Sequence, residues 1–341
     1  MRLRRAILKV AWLLALAAFV TASPSTRVSA EQPPIDAAGL VQAAQHEFDL
    51  GNYLVAIRSL LAITAQNYSN AEVFFWLGRS YYELRDYDNA VIHAEKAVSL
   101  DSGNSLYHQW LGRAYGSKAD RDKSFFLAKK VKRELVEAVR LNPSNIEARI
   151  DLEDFCMNAP WIVGGSRDEA RDQAEAIFAL DPIQGHVARG KFFMDAMKRP
   201  DLAEKEFQQI VAAKSTQIEP YLEAIAFFEK QHNLPEMEAA IRAAAQAHQN
   251  DPRVAYFQAV QWVLSGVEPP RAEEYLKSYL ASTPERSDWP AHAAAREWLG
   301  RLYESQGRRA DAIEQYRASL QLEPGRKEVV GRLEKIQKAV P

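Results

Sequence analysis

Trp76-Leu77-Gly78-Arg79, Trp110-Leu111-Gly112-Arg113 and Trp298-Leu299-Gly300-Arg301 are one four-residue phrase written three times, each followed at a fixed offset by a tyrosine (Tyr81, Tyr115, Tyr303). Positions 76 and 110 stand 34 residues apart. A repeat of that length is one helical hairpin, too small to bury its own apolar face and completed by the hairpins stacked on either side. No stretch alternates apolar and polar residues with period two for long enough to make a sheet. The expected fold is all-α, a solenoid of antiparallel helix pairs.

Residues 71–104 are the cleanest copy. Phe74, Leu77, Gly78 and Tyr81 fall on one helical stripe, Ala90, Ala94 and Ala97 on another, and Arg85-Asp86-Tyr87-Asp88 turns between them. Gly78 and Ala90 are small where two helices must approach closely, and Tyr81 and Leu100 fill the space around them. This pattern resembles the tetratricopeptide repeat (TPR), whose signature is a bulky residue, Leu-Gly, Tyr, then Ala, a large residue, Ala and Pro. Ala94 stands here in the large place and Ser102 in the proline place. The resemblance implies a TPR superhelix of about eight helix pairs. The pairs are expected at residues 37–70, 71–104, 105–145, 146–184, 185–217, 218–252, 253–284 and 293–326, with a capping helix over 327–341.

The copies vary. Residues 37–70 have Ala43-Ala44 in the Leu-Gly place, and 105–145 carry extra residues expected to lengthen the hairpin turn. Residues 146–184 keep Leu152 and put Cys156 in the tyrosine place. Gly190, Ala203 and Phe207 identify the fifth copy, and Phe228, Ile241 and Ala244 the sixth. Residues 293–326 are nearly ideal. Capping boxes at Ser69 with Glu72, Ser144 with Glu147, Ser166 with Glu169 and Thr216 with Glu219 mark helix starts. Val329, Val330, Leu333 and Ile336 make the single apolar stripe that a terminal helix needs.

The first thirty residues read as a signal segment rather than as part of this fold. Arg2, Arg4, Arg5 and Lys9 precede the apolar run from Ala11 to Ala22, and small residues lead to Val28-Ser29-Ala30. Cleavage is expected after Ala30, with Ala22 as the alternative. Arg4-Arg5-Ala6-Ile7-Leu8-Lys9 resembles a twin-arginine export signal with isoleucine in the usual phenylalanine place. The strong apolar run and the lack of a cofactor motif favour the Sec route. A periplasmic or secreted protein is expected, with the solenoid over 31–341 and no stable membrane span.

Residues 1–30 hold five of the 43 basic residues and no acidic one, which leaves 38 against 45 Asp and Glu, a net charge of −7. That balance argues against nucleic acid as a partner. Cys156 is the sole cysteine, so no internal disulfide is available and the fold rests on burial.

Helical spacing also sorts the faces. Leu77, Gly78 and Tyr81 are used against the second helix of their hairpin, which turns Phe75, Trp76, Arg79 and Tyr82 toward a neighbouring face. In TPR solenoids the first helices line the concave side, so Trp76 with Arg79 and Trp110 with Arg113 would form consecutive rungs of a groove. Exposed tryptophan and arginine dominate interface energies, and a cationic rung beside an indole suits an acidic or C-terminal peptide. The other reading wedges the tryptophans between hairpins and pairs each arginine with an acid on the next helix, with Asp151 and Asp154 in the matching places after Arg113. The basic clamp of chaperone-tail-binding relatives does not carry over, because Trp76 and Trp110 hold its asparagine place and no lysine holds its lysine places.

The segment from Tyr107 to Gly116, the expanded hairpin up to Pro143 and Asn158-Ala159-Pro160-Trp161-Ile162-Val163-Gly164-Gly165-Ser166 resemble a group of exported bacterial TPR proteins. That likeness implies fold and compartment and no activity. The Ala-Pro…Gly-Gly stretch is expected to be an ordered turn that packs Trp161 and Ile162 on its neighbours. Phe125 and Phe126 are expected to cover the helix they precede.

The seven histidines are scattered without ligand spacing, and no nucleophile, phosphate or dinucleotide motif is present. No enzyme, cofactor or metal is expected. The chain is expected to be an exported scaffold that binds a protein or peptide in its concave groove. Trp76, Arg79, Tyr82, Trp110 and Arg113 are the contact residues, with Trp298 and Arg301 as a weaker second patch. A receptor or enzyme for a small envelope molecule, such as a glycan or cell-wall fragment, is the alternative. Partner identity and oligomeric state are not legible in the sequence.

Overall fold

The computed structural model describes residues 37–65 and 70–338. The expected signal segment and its cleavage site, Ser69 and the last residues of the cap lie outside them. The described residues form helices and no strand. Eight pairs run in sequence: α1 (Ala37–Asp49) with α2 (Tyr53–Thr64), α3 (Ala71–Glu83) with α4 (Tyr87–Leu100), α5 (Ser105–Asp122) with α6 (Phe125–Leu141), and α7 (Ile146–Asn158) with α8 (Arg167–Leu180). They continue with α9 (Pro182–Lys191) and α10 (Pro200–Ala212), α11 (Glu219–Lys230) and α12 (Leu234–Ala247), α13 (Pro252–Ser265) and α14 (Pro269–Ser282), and α15 (His292–Ser305) and α16 (Arg309–Leu322). The cap is α17 (Lys327–Lys338), held by buried Val329 and Ile336 while Val330 stays exposed. A π turn at Phe192–Ala196 prolongs α9.

The small positions do what their spacing implied. A methyl group at Gly78 would lie 3.2 Å from Ala94 N and 3.3 Å from Ala90 O of α4, and one at Gly112 would lie 2.9 Å from Leu135 Cδ2 of α6. One core then runs unbroken from Val187 and Phe207 through Tyr221, Phe228, Leu276 and Tyr316 to Val329, so each hairpin completes its neighbour.

Four local expectations are corrected. Asn145, not Ser144, caps α7 by accepting from Ala148 N, because its side chain sits one residue nearer the helix while Ser144 bonds Asn142. Thr216 caps nothing, as α11 begins after Ile218 with no side-chain cap; Ser166 does cap α8 through Glu169 N. The extra residues of the third pair are helical rather than a long turn: α5 and α6 reach 18 and 17 residues and only Lys123 and Ser124 separate them. Trp161 and Ile162 are exposed, Trp161 at 84%, because Val163 and Lys132 Nζ donating to Gly164 O anchor their turn instead; Phe125 and Phe126, at the start of α6, are exposed as well and do not cover the helix.

Successive first helices touch along the series, α1 to α3, α3 to α5, α5 to α7, α9 to α11, α11 to α13 and α13 to α15, while among second helices extensive contact joins α10 to α12. The side on which neighbours crowd is the inside of the curve, so the first helices form the concave wall. The curvature brings the two ends together. Tyr53 Oη donates to Glu285 O at 3.0 Å across 232 residues, and Ser287 N and Oγ donate to the Glu83 carboxylate at 2.9 and 3.0 Å. Arg85 pairs with Glu323 at 3.1 Å. Gly51, in a left-handed turn (φ 79°), packs so tightly on Pro284 that no side chain fits.

Glu153 of α7 occupies the place that glycine holds in α3, α5 and α15, and it is 1% exposed with Oε1 lacking a partner. Burial, with Asp154 adding, pushes its carboxyl up to about 8. The folded chain therefore keeps a proton that the unfolded chain loses, so this group favours folding fully below about pH 4 and progressively less as pH rises through 8. Glu153→Gln is expected to match the parent chain at pH 5 and to exceed its stability at pH 9 by roughly 2 kcal/mol. Urea unfolding at both pH values measures this, and equal differences at the two would contradict it.

Candidate functional site

Four of the five residues expected at the near end of the groove meet around Arg79. Its guanidinium carbon lies 4.6 Å from the Phe48 ring centroid, 5.7 Å from Phe75, 4.7 Å from Trp76 and 4.4 Å from Trp110. Tyr82 meets Trp110 edge-on at 5.7 Å, and its hydroxyl accepts from Ser117 Oγ at 3.0 Å. Arg113 stacks on the far side of Trp110 at 4.9 Å. The space left beside Arg79 on the side of Phe75, Tyr82 and Trp110 is about 10 Å³.

The arginines differ in their counter-charges, and the repeat register explains it. The arginine two residues after the leucine of one hairpin meets the residue just before the leucine of the next. For Arg113 that residue is Asp151, at 2.6 Å, with Glu147 at 3.3 Å. For Arg79 it is Trp110. Arg79 makes no hydrogen bond or ion pair with any described residue, and its Nε is buried without a partner. Burial pushes its pKa down to about 10, with Glu83 opposing and the neighbouring charges of Arg113 and Arg286 adding. A cation held by rings, with acids near it but none bonded to it, keeps its hydrogen-bond donors available to an anion.

Trp298 and Arg301 lie apart from this cluster. Trp298 is buried, and Arg301 stacks on it at 4.3 Å while pairing with Glu297 at 2.5 Å and Glu328 of α17 at 2.6 Å. The third copy of the phrase therefore fastens the cap. Asp154, offered by spacing as an arginine partner, faces Lys191 instead. Cys156 is buried and its thiol is pushed up to about 12 by burial, so it is a packing group.

Sequence reading missed Phe48, which closes the cage from the first hairpin, and the loop 283–291, which brings Arg286 to its edge. Phe48 was detectable as a bulky residue at the end of a first helix. The loop fell between two repeats and had no pattern to read.

Residues 41–105 and 264–327 match the family description tetratricopeptide repeat. The chain carries tetratricopeptide repeats in both stretches. A search of curated proteins finds no match. Among solved structures, a thermophilic TPR protein of Thermus thermophilus, TTC0263, is similar at 16% identity and TM-score 0.46, over 56% of this chain and 98% of that one. A tetratricopeptide repeat protein of Parabacteroides merdae is similar at 13% identity and TM-score 0.47, over 78% and 98%. YrrB, titled a TPR protein with an unusual peptide-binding site, is similar at 19% identity and TM-score 0.40, over 61% and 91%.

A half-buried cation without an ion pair costs the fold stability, so Arg79→Met, which keeps the apolar contacts without the charge, is expected to hold or raise stability by about 1 kcal/mol. Chemical denaturation measures this. A loss of more than about 1 kcal/mol would show the arginine to be a structural wedge.

Proposed function

We propose that this TPR protein is an exported scaffold that binds a protein or peptide along its concave wall. Trp76, Arg79, Tyr82, Trp110 and Arg113 are its contact residues, and an acidic group of the partner meets Arg79. One observation carries the reading: Arg79 is half-buried among four rings and makes no ion pair or hydrogen bond with any described residue. A folding-only role would be served better by the aspartate that Arg113 has. The stacked hairpins hold these side chains in place before the partner arrives, so little ordering is lost on binding. TPR repeats as a family serve as protein interaction scaffolds, which agrees with this use of the wall. Export rests on the signal segment alone.

The competing ligand, a small envelope molecule, calls for a closed pocket between hairpins. The space beside Arg79 is about 10 Å³, too small for such a molecule, which favours a partner that lies across the wall.

Affinity capture from envelope extract tests the site. The full chain is expected to recover a partner that Arg79→Met and Trp110→Ala lose at least tenfold while remaining folded by circular dichroism. Equal recovery by the parent and both variants would remove these residues from the contact surface. For export, mass spectrometry of the protein from the periplasm is expected to show an N-terminus after Ala30 or Ala22. An intact Met1 on protein confined to the cytoplasm would contradict it.

A further inference from the structure

A second station lies on the same wall, between α11, α13 and the loop 283–291. A depression of about 400 Å³ is lined by Glu219, Leu222, Glu223 and Glu229 of α11, by Arg253, Tyr256 and Phe257 of α13, and by Asp288 of the loop. The α11 residues are one stripe, at spacings of three, four and their sums.

Three of its four carboxylates have a cation and one does not. Arg253 forks onto Asp251 at 3.0 and 2.7 Å and reaches Glu219 at 3.5 Å. Glu223 pairs with Lys191 at 2.8 Å and Asp288 with Arg286 at 2.9 Å. The Glu229 side chain makes no hydrogen bond or ion pair with any described residue, and burial pushes its carboxyl up to about 7, with Arg301 opposing and Glu297 adding.

Tyr256 is an independent sign. It is 4% exposed, lines the depression, and its hydroxyl has no hydrogen-bond partner among the described residues. Its ring is buried while the hydroxyl oxygen keeps some exposure where it lines the depression, so its hydrogen-bonding capacity is open to a group bound there. Acceptors are in surplus and donors are missing, while Leu222 and Phe257 supply apolar walls. Among the described residues no set of three such groups converges to hold a metal ion. The group that fits is a cation carrying only donors at the end of an apolar stem, which describes a lysine or arginine side chain.

We propose that this depression is the pocket for a basic side chain of a peptide lying along the concave wall. It rests on the reading that this wall holds a partner and adds what the partner must present: a lysine or arginine here, in addition to an acidic group at Arg79. The pocket opens onto the wall, and an adjoining depression that shares Glu223 and Ala226 continues the track toward Lys191 and Phe207.

The test titrates the full chain with four end-blocked pentapeptides, glycine-leucine-X-leucine-glycine, where X is lysine, arginine, norleucine or glutamate. The lysine and arginine peptides are expected to bind and to compete with each other, and the norleucine and glutamate peptides to bind at least tenfold more weakly. Glu229→Gln and Tyr256→Phe are each expected to weaken the lysine peptide about fivefold or more without lowering the thermal midpoint. Arg79→Met leaves this titration unchanged, which separates failure of the pocket from failure of the cage. The proposal is overturned if norleucine binds as well as lysine, if neither variant weakens binding, if no peptide binds at millimolar concentration, or if free spermidine binds as tightly as the lysine peptide.

Discussion

The close approach of the two helices in each hairpin governs the rest of the structure. At Gly78 the backbone of α4 stands within 3.2 Å of where a Cβ would lie, and at Gly112 and Gly190 the side chains of Leu135 and Phe207 fill the space that one would need. These contacts fix how each pair sits and which residues remain on its open side. The next hairpin then packs on a defined surface, and the curvature accumulates pair by pair. Its summed result is the meeting of Glu83 with Ser287 and of Arg85 with Glu323, more than 200 residues apart in sequence.

The same register distributes charge along the wall. In the second and third hairpins the arginine after Leu-Gly faces the residue before the next hairpin's leucine, so one position there decides whether it is neutralised. Asp151 neutralises Arg113; Trp110 leaves Arg79 a bare cation in a ring cage. Further along, α11 presents a stripe of acids in which Glu219 and Glu223 have cations and Glu229 has none among the described residues. A wall with a cationic station near one end and an acidic one near the other selects a partner by the order and spacing of its charges, which apolar area alone cannot do.

Much of the fold was legible because its determinants are local. The eight pairs, the cap and the close-packed glycines all follow from spacing within one repeat. The helix starts at Asn145 and after Ile218 were missed because neighbouring cap residues compete and the pattern cannot rank them. Of the site, the residues around Arg79 were legible as a face but their pairing was not: spacing placed acids after Arg113 yet could not say that Asp151 would bind it while Asp154 turned to Lys191. Trp298 carries the same phrase and is buried, because burial depends on what stacks next, here α17. The loop 283–291 belongs to no repeat, so its part in closing the turn and bounding the acidic pocket arises only in three dimensions.

Zero-length carbodiimide cross-linking reads the accumulated curvature directly. In the Arg85→Lys chain, the new amine stands where the ion pair with Glu323 is formed. An amide joining positions 85 and 323 within one molecule, recovered by mass spectrometry of its digest, is the expected product. Its absence, while Lys191 still links to Glu223 across α9 and α11 at 2.8 Å, would contradict a solenoid that closes on itself.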